Sequence, residues 1–274
     1  MKKTQLMVAI SLMAAGPAFA NTFVNGGFES GNLNGWTGGG GSWGAYGSYA
    51  VPIALPYTGG ALPTASDYIG GTPNNYIMNG GVDPYTNANR VYSGNYSARL
   101  NDNNNNYSVS TLRQSVSNYT DKNIYFAWNA VLQSSHGLTN SDYFSLTLKD
   151  DTTGATLVNR SYSSAGSIGA GTTGVTWTPY ATGPYGSTVF SSGWVVENIN
   201  LATAGPGGTS IVGDSFTLTM LASDCPYGGH FGYAYLDGFG SVVPTVPEPS
   251  TYALLGMGIG MISLVSIRRR RQMV

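Results

Sequence analysis

Cysteine is all but missing from this chain: Cys225 is the single one in 274 residues. No intrachain disulfide can form, so stability must come from a packed core or a bound ion. Charge is equally scarce, at 9% of residues, and there are 2 histidines in all. Six of the 12 basic residues, Lys2, Lys3 and Arg268 to Arg271, lie at the two ends, whereas 12 of the 13 acidic residues lie between them. The region between the ends is therefore net negative by about 6. That excludes a nucleic-acid partner, because neutralising phosphates needs a basic surface. Neither a Glu-x-Asp-x-x-Glu nor a His-Glu-x-x-His string occurs, which removes two readings as a hydrolase.

What the chain has instead is glycine, 39 residues, and tyrosine, 19 residues. Glycine-punctuated sequence with many aromatics and little charge is the composition of a β protein rather than of a disordered one. The region from Asn21 to Pro247 is long enough to bury one substantial core, and a single domain over 21–241 is the expectation.

The two ends read as addresses. Met1 to Ala20 has a basic start (Lys2, Lys3), an apolar stretch (Leu6 to Ala15) and a small-x-small site ending at Ala20, the pattern of a signal peptide cleaved after Ala20 during Sec translocon export. At the other end, Thr251 to Ile267 is free of charge. As a helix it would span roughly 25 Å, marginal against a hydrocarbon core of about 30 Å. A spacer, 242–250, precedes this transmembrane helix, and a basic cytoplasmic tail, 268–274, follows it. Arg268, Arg269, Arg270 and Arg271 fix the orientation, with everything before Val246 on the far side of the membrane. Pro247, Glu248 and Pro249, the apolar helix and the arginine cluster, in that order, resemble the PEP-CTERM sorting signal. The resemblance implies processing by an exosortase near Pro247 to Pro249, in bacteria that usually also make an extracellular polysaccharide. An uncleaved single-pass anchor is the alternative.

The opening of the body, Asn25-Gly-Gly-Phe28-Glu29-Ser-Gly31 to Trp36, predicts a first strand running into a tight loop. It resembles the N-G-x-F-E-x-G-x-x-x-x-W opening of galactose-binding-like jelly rolls, which include several carbohydrate-binding module families. The resemblance implies an all-β jelly-roll β-sandwich with Phe28 and Trp36 as core residues. It also implies that Glu29 helps hold a structural calcium ion, and the closing Tyr235-Leu-Asp237 resembles the last strand of the same fold. Glu29 and Asp237 would then meet and form a hard-oxygen calcium site; capping of a turn before Gly238 is the alternative for Asp237.

Between them, about 38–91 reads as a long Gly/Pro-rich loop insertion, with a short strand around Tyr49 to Leu55. Strands are expected at Ser93 to Leu100, at Val109 to Val116 with Arg113 outward, and at Asn123 to Gln133, the last covered on both faces. A hairpin joins Asp142–Lys149 to Ala155–Tyr162 around Asp150 and Asp151, whose side chains point apart and cannot flank one glycosidic bond. Late strands are expected at Gly193 to Leu201 and Asp214 to Ala222. Long loops on a β scaffold are where binding concentrates. Trp43, Tyr46, Tyr49, Tyr57, Tyr68 and Tyr76, with Trp177 and Tyr180 in a second loop, either stack on sugar rings or fold down to cover the sandwich. Cys225 and His230 make half a zinc site, or a nucleophilic pair without a third group, or a structural turn. Three classes of function remain: a non-catalytic exported protein contacting exopolysaccharide, a matrix or surface component without a ligand, and a polysaccharide hydrolase.

Overall fold

A computed structural model describes residues 22–42, 74–136, 141–165, 175–225 and 230–240. The signal segment, the spacer, the apolar tail and the strand expected at Tyr49 to Leu55 lie outside them. Among the described residues no helix is long and apolar enough to cross a membrane.

Among the described residues, twelve strands form two antiparallel sheets. The strands are β1 (Thr37–Ser42), β2 (Asn75–Asn79), β3 (Tyr96–Leu100), β4 (Ser108–Val116), β5 (Asn123–Gln133) and β6 (Tyr143–Asp150), then β7 (Thr156–Ser163), β8 (Thr178–Tyr180), β9 (Val189–Ser191), β10 (Val195–Asn200), β11 (Phe216–Ser223) and β12 (Gly232–Gly240). One sheet runs β1-β4-β11-β6-β7; the other runs β2-β3-β12-β5-β9-β8, with β10 also paired to β5. The order is far from sequential, and the sheets close face to face as a jelly-roll sandwich, the all-β class that the opening and closing motifs imply.

Alternation along each strand decides what the sandwich buries. On β5, Ile124, Phe126, Trp128, Ala130 and Leu132 point between the sheets, against Leu146 and Leu148 of β6 and Leu218 and Met220 of β11. The other face of β5 is also covered: Val131 joins a second cluster with Val189, Phe231, Tyr233 and Tyr235 on the outer side of the seven-stranded sheet. A run from 124 to 132 whose single interruption is the buried Asn129 is what burial on both faces demands.

Two expectations are corrected. The opening from Asn25 is a series of turns rather than a strand, because Asn25 and Phe28 take left-handed backbone (φ 51° and 59°) that cannot stay in a ladder. The stretch about 38–91 is not loop throughout. Its glycines at 38–41 lie in edge strand β1, paired to β4, and Gly40 (φ 131°) comes so close to the Val109 carbonyl that a side chain would overlap it. Asn75–Asn79 forms β2, an edge of the seven-stranded sheet, paired to β3.

Candidate functional site

Phe28 and Trp36 pack as expected, ring on ring at 5.2 Å, with the Trp36 indole N–H donating to the Asn25 carbonyl (3.2 Å). This folds the opening turns onto the end of β12, where Phe239 N–H donates to Gly26 O (3.0 Å). Glu29 and Asp237 both approach Gly27 of the opening loop, and not through neighbouring first and last strands, since β1 and β12 lie in different sheets. A methyl group placed on Gly27 would touch Glu29 Cγ at 3.9 Å and Asp237 Oδ1 at 4.0 Å.

Both carboxylates are aimed at the loop before β3. Asp237 Oδ2 accepts from the backbone amides of Tyr92 and Ser93, each at 2.9 Å. Glu29 accepts from the amides of Asn95 (3.0 Å) and Tyr96 (3.1 Å) and from Asn95 Nδ2 (3.0 Å). Asp237 Oδ1 is buried and has no hydrogen-bond partner among the described residues. Burial pushes the Asp237 carboxyl up to about 7 against the pull of the Ser93 and Tyr92 amides, and the Glu29 charge adds to the rise. A buried carboxylate oxygen without a partner is one hard-oxygen donor of the kind a calcium ion takes.

The outer face of the seven-stranded sheet carries a row that the sequence does not announce. Register sets Tyr76 beside Arg99, Arg99 beside Tyr235, and Tyr235 beside Asn129. The Arg99 guanidinium lies 5.0 Å from the Tyr76 ring and 5.7 Å from the Tyr233 ring. Residues 83–92 cover the middle of this face: Asp83 Oδ2 accepts from the hydroxyls of Tyr233 (2.6 Å) and Tyr235 (2.8 Å). Burial, reinforced by Asp83, raises both phenols well above the ordinary tyrosine value, so they donate at any ordinary pH. Tyr76, at 40% exposure, leaves the row open at its β2 end.

The aromatic residues picked from the loops fall in different places. Trp43, Tyr46, Tyr49, Tyr57 and Tyr68 lie outside the described residues. Trp177 is half-buried, its ring edge-on to Tyr162 at 5.2 Å beside the core. Tyr180 is half-buried on β8, opposite Val189. Asp150 and Asp151 are occupied as turn residues: Asp150 accepts from the amides of Thr152 (2.9 Å) and Thr153 (3.2 Å), and Asp151 from the Thr217 hydroxyl (2.5 Å). The string Gly40 to Gly44 has Gly-x-Ser-x-Gly spacing, but Ser42 is still in edge strand β1, in register with Ser108.

At the opposite end of β12 the fold gathers both histidines around the cysteine. Cys225 is buried after β11, and His230 precedes β12. His136, just past β5, brings Nδ1 to 3.4 Å from Cys225 Sγ, and its ring stands edge-on to that of His230 at 4.6 Å. Sequence reasoning missed His136, which is 89 positions from Cys225. The available signal was that it follows the strand most strongly marked as central.

Residues 245–271 match the PEP-CTERM protein-sorting motif. No protein of curated function matches the chain by sequence. Among solved structures, the chain is similar to TmCBM61 in complex with beta-1,4-galactotriose (11% identity over 80% of this chain and 96% of that one, TM-score 0.38). It is similar also to the enzymatically active domain of tailspike protein 4 of bacteriophage CBA120 (9%, 81% and 21%, TM-score 0.35). A third is a structure of carbohydrate-binding modules from the beta-sandwich super family (10%, 81% and 62%, TM-score 0.33). These likenesses concern the course of the chain, and no function passes along them.

Proposed function

We propose that the protein is a non-catalytic, exported β-sandwich that contacts exopolysaccharide at the cell surface or in the surrounding matrix, to which its PEP-CTERM tail delivers it through exosortase processing. The observation that carries the binding part is the open end of the outer-face row, where Tyr76 stands exposed with the Arg99 guanidinium beside it. An exposed ring backed by a guanidinium offers a sugar both contacts it uses: a C–H face stacks on an aromatic and its hydroxyls accept from guanidinium N–H groups. Trp177 and Tyr180, and the loop residues Trp43, Tyr46 and Tyr57, remain candidates for extending the contact. Signal cleavage after Ala20 and insertion of 251–267 as a transmembrane helix complete the export route.

Affinity electrophoresis of the full chain through gels containing the producing bacterium's own exopolysaccharide tests this. Retardation is expected, and Tyr76→Ala and Arg99→Ala are each expected to reduce it. Unchanged mobility with and without the polymer would leave the ligand-free matrix component as the better reading. Release of sugars from the polymer would establish the hydrolase.

The second part of the reading is structural calcium. Glu29 and Asp237 would hold it at the junction of the opening turns and β12, and the buried, unpartnered Asp237 Oδ1 supports that assignment. The ion would supply the positive charge that this pair of carboxylates otherwise lacks.

A further inference from the structure

The cluster formed by His136, Cys225 and His230 takes no part in the function proposed above, and it lies at the other end of β12 from Glu29 and Asp237. Its ligand atoms, two imidazole nitrogens and one sulfur, all lie within 4.8 Å of one another. We propose that it is a zinc site with three protein ligands and a fourth position open to water or an outside ligand.

One spacing is already that of a coordination shell, and the other two, within 4.8 Å, close on the ion. With Zn–S near 2.3 Å and Zn–N near 2.0–2.1 Å, a tetrahedron has S···N edges of about 3.6 Å and N···N edges of about 3.3 Å. His136 Nδ1 and Cys225 Sγ are already 3.4 Å apart. Two imidazoles and a thiolate suit a borderline-soft ion and offer nothing to calcium or magnesium, which take oxygen ligands. On binding, the Cys225 thiol gives its proton to solvent and the imidazoles coordinate in their neutral form. The pocket thereby gains one net positive charge.

The ligands are held by hydrogen bonds that leave their side chains to converge. Cys225 N–H donates to the His230 carbonyl (3.0 Å), closing the loop between β11 and β12. Asp224, next in the chain, accepts from Asn101 Nδ2 (2.9 Å) and the Ser108 amide (3.0 Å). Gln133 N–H donates to Phe231 O and Gln133 Oε1 accepts from Phe231 N–H, each at 3.1 Å, which extends the β5–β12 ladder and carries His136 alongside His230. Exposure grades across the site: Cys225 is buried, His230 partly buried and His136 exposed, so an ion enters from the His136 side. The same burial argues against Cys225 as a nucleophile, since a reactive thiol is partly exposed and this one is buried.

The test is cobalt(II) titration of the full chain after stripping with a chelator, followed by zinc competition. One equivalent is expected to bind, with the visible bands of a tetrahedral site and a near-ultraviolet sulfur-to-cobalt charge-transfer band, and zinc should displace it whereas calcium should not. Cys225→Ser is expected to remove the charge-transfer band. Because Cys225 is buried and its replacement could unfold the chain, His136→Gln on the exposed side is the deciding variant. It should melt with the metal-stripped parent yet bind zinc about tenfold or more weakly. Absence of the charge-transfer band, affinity unchanged in His136→Gln, or cobalt that zinc cannot displace would each overturn the proposal.

Discussion

Arg160 of β7 and Glu197 of β10 join the two sheets through a two-pronged ion pair, Nε to Oε1 at 2.8 Å and Nη2 to Oε2 at 2.9 Å. Glu197 is buried, and its Oε1 also accepts from the Trp128 indole N–H at 3.1 Å, so one carboxylate ties the central strand to an edge of the opposite sheet. Removing the guanidinium leaves a buried charge with a single neutral donor. Arg160→Met is therefore expected to cost on the order of 2 kcal/mol. Arg160→Met with Glu197→Gln should recover part of the loss, because the amide oxygen still serves Trp128 and no charge remains. Urea denaturation of the parent chain and the two variants measures this; a double variant less stable than Arg160→Met would contradict it.

Asp83 holds the covering segment 83–92 to the sheet by accepting from Tyr233 and Tyr235 at one oxygen, while its Oδ1 accepts from the amides of Tyr85 (3.0 Å) and Thr86 (2.9 Å). Tyr233→Phe and Tyr235→Phe are each expected to cost about 1 kcal/mol. Together they leave Oδ2 unserved, so the pair should cost more than the sum. The local readout is hydrogen exchange: the amides of Tyr85 and Thr86 should lose protection in the double variant while those of β5 keep theirs. Equal loss in both places would mean that the hydroxyls support the whole sandwich and not this segment.

The parts of this molecule legible in the sequence are those written locally. The run Asn123 to Gln133 is β5 end to end, and the alternation of Ala98 with Leu100 and of Phe216 with Leu218 and Met220 gives the buried faces of β3 and β11. Phe28 and Trp36 were legible through a motif. Edge strands were not, because β1 is built on Gly38 to Gly41, and glycine carries no side-chain pattern to read. The sites depended on chain reversals. Glu29 and Asp237 lie 208 positions apart, and it took the closing motif to pair them. His136 had no such motif, and only the β5–β12 register brings it to Cys225 and His230.

Calcium held at Glu29 and Asp237, as proposed, would make stability depend on a chelator. At a free concentration of 100 times Kd, a single site stabilises by about 2.7 kcal/mol. Thermal melting of the full chain in calcium and in a calcium-selective chelator should therefore differ by several degrees. Glu29→Gln or Asp237→Asn should abolish the difference while leaving the cobalt spectrum of the histidine–cysteine cluster intact. A melting temperature indifferent to calcium in the parent chain would eliminate the ion, and the two carboxylates would then serve only to hold residues 92–96.

Gly26 tests whether the opening turns are seated as the fold requires. A methyl group there would overlap the Phe239 carbonyl, which belongs to the backbone of β12 and cannot rotate away. The Phe239 N–H to Gly26 O bond would break with it. Phe23, whose ring centroid is 3.8 Å from that of Phe239, would also lose its seat, and Glu29 would be carried off Asp237. Gly26→Ala is thus expected to cost roughly 2–4 kcal/mol, comparable to emptying a core position. Gly80→Ala, where a methyl group would meet nothing within 4 Å, is the control and should change stability by less than about 0.5 kcal/mol. If calcium binds where proposed, Gly26→Ala should weaken it although no ligand has been altered, which calcium titration of both variants would measure. Equal stability of the two variants would mean that the segment 23–29 is not docked on β12.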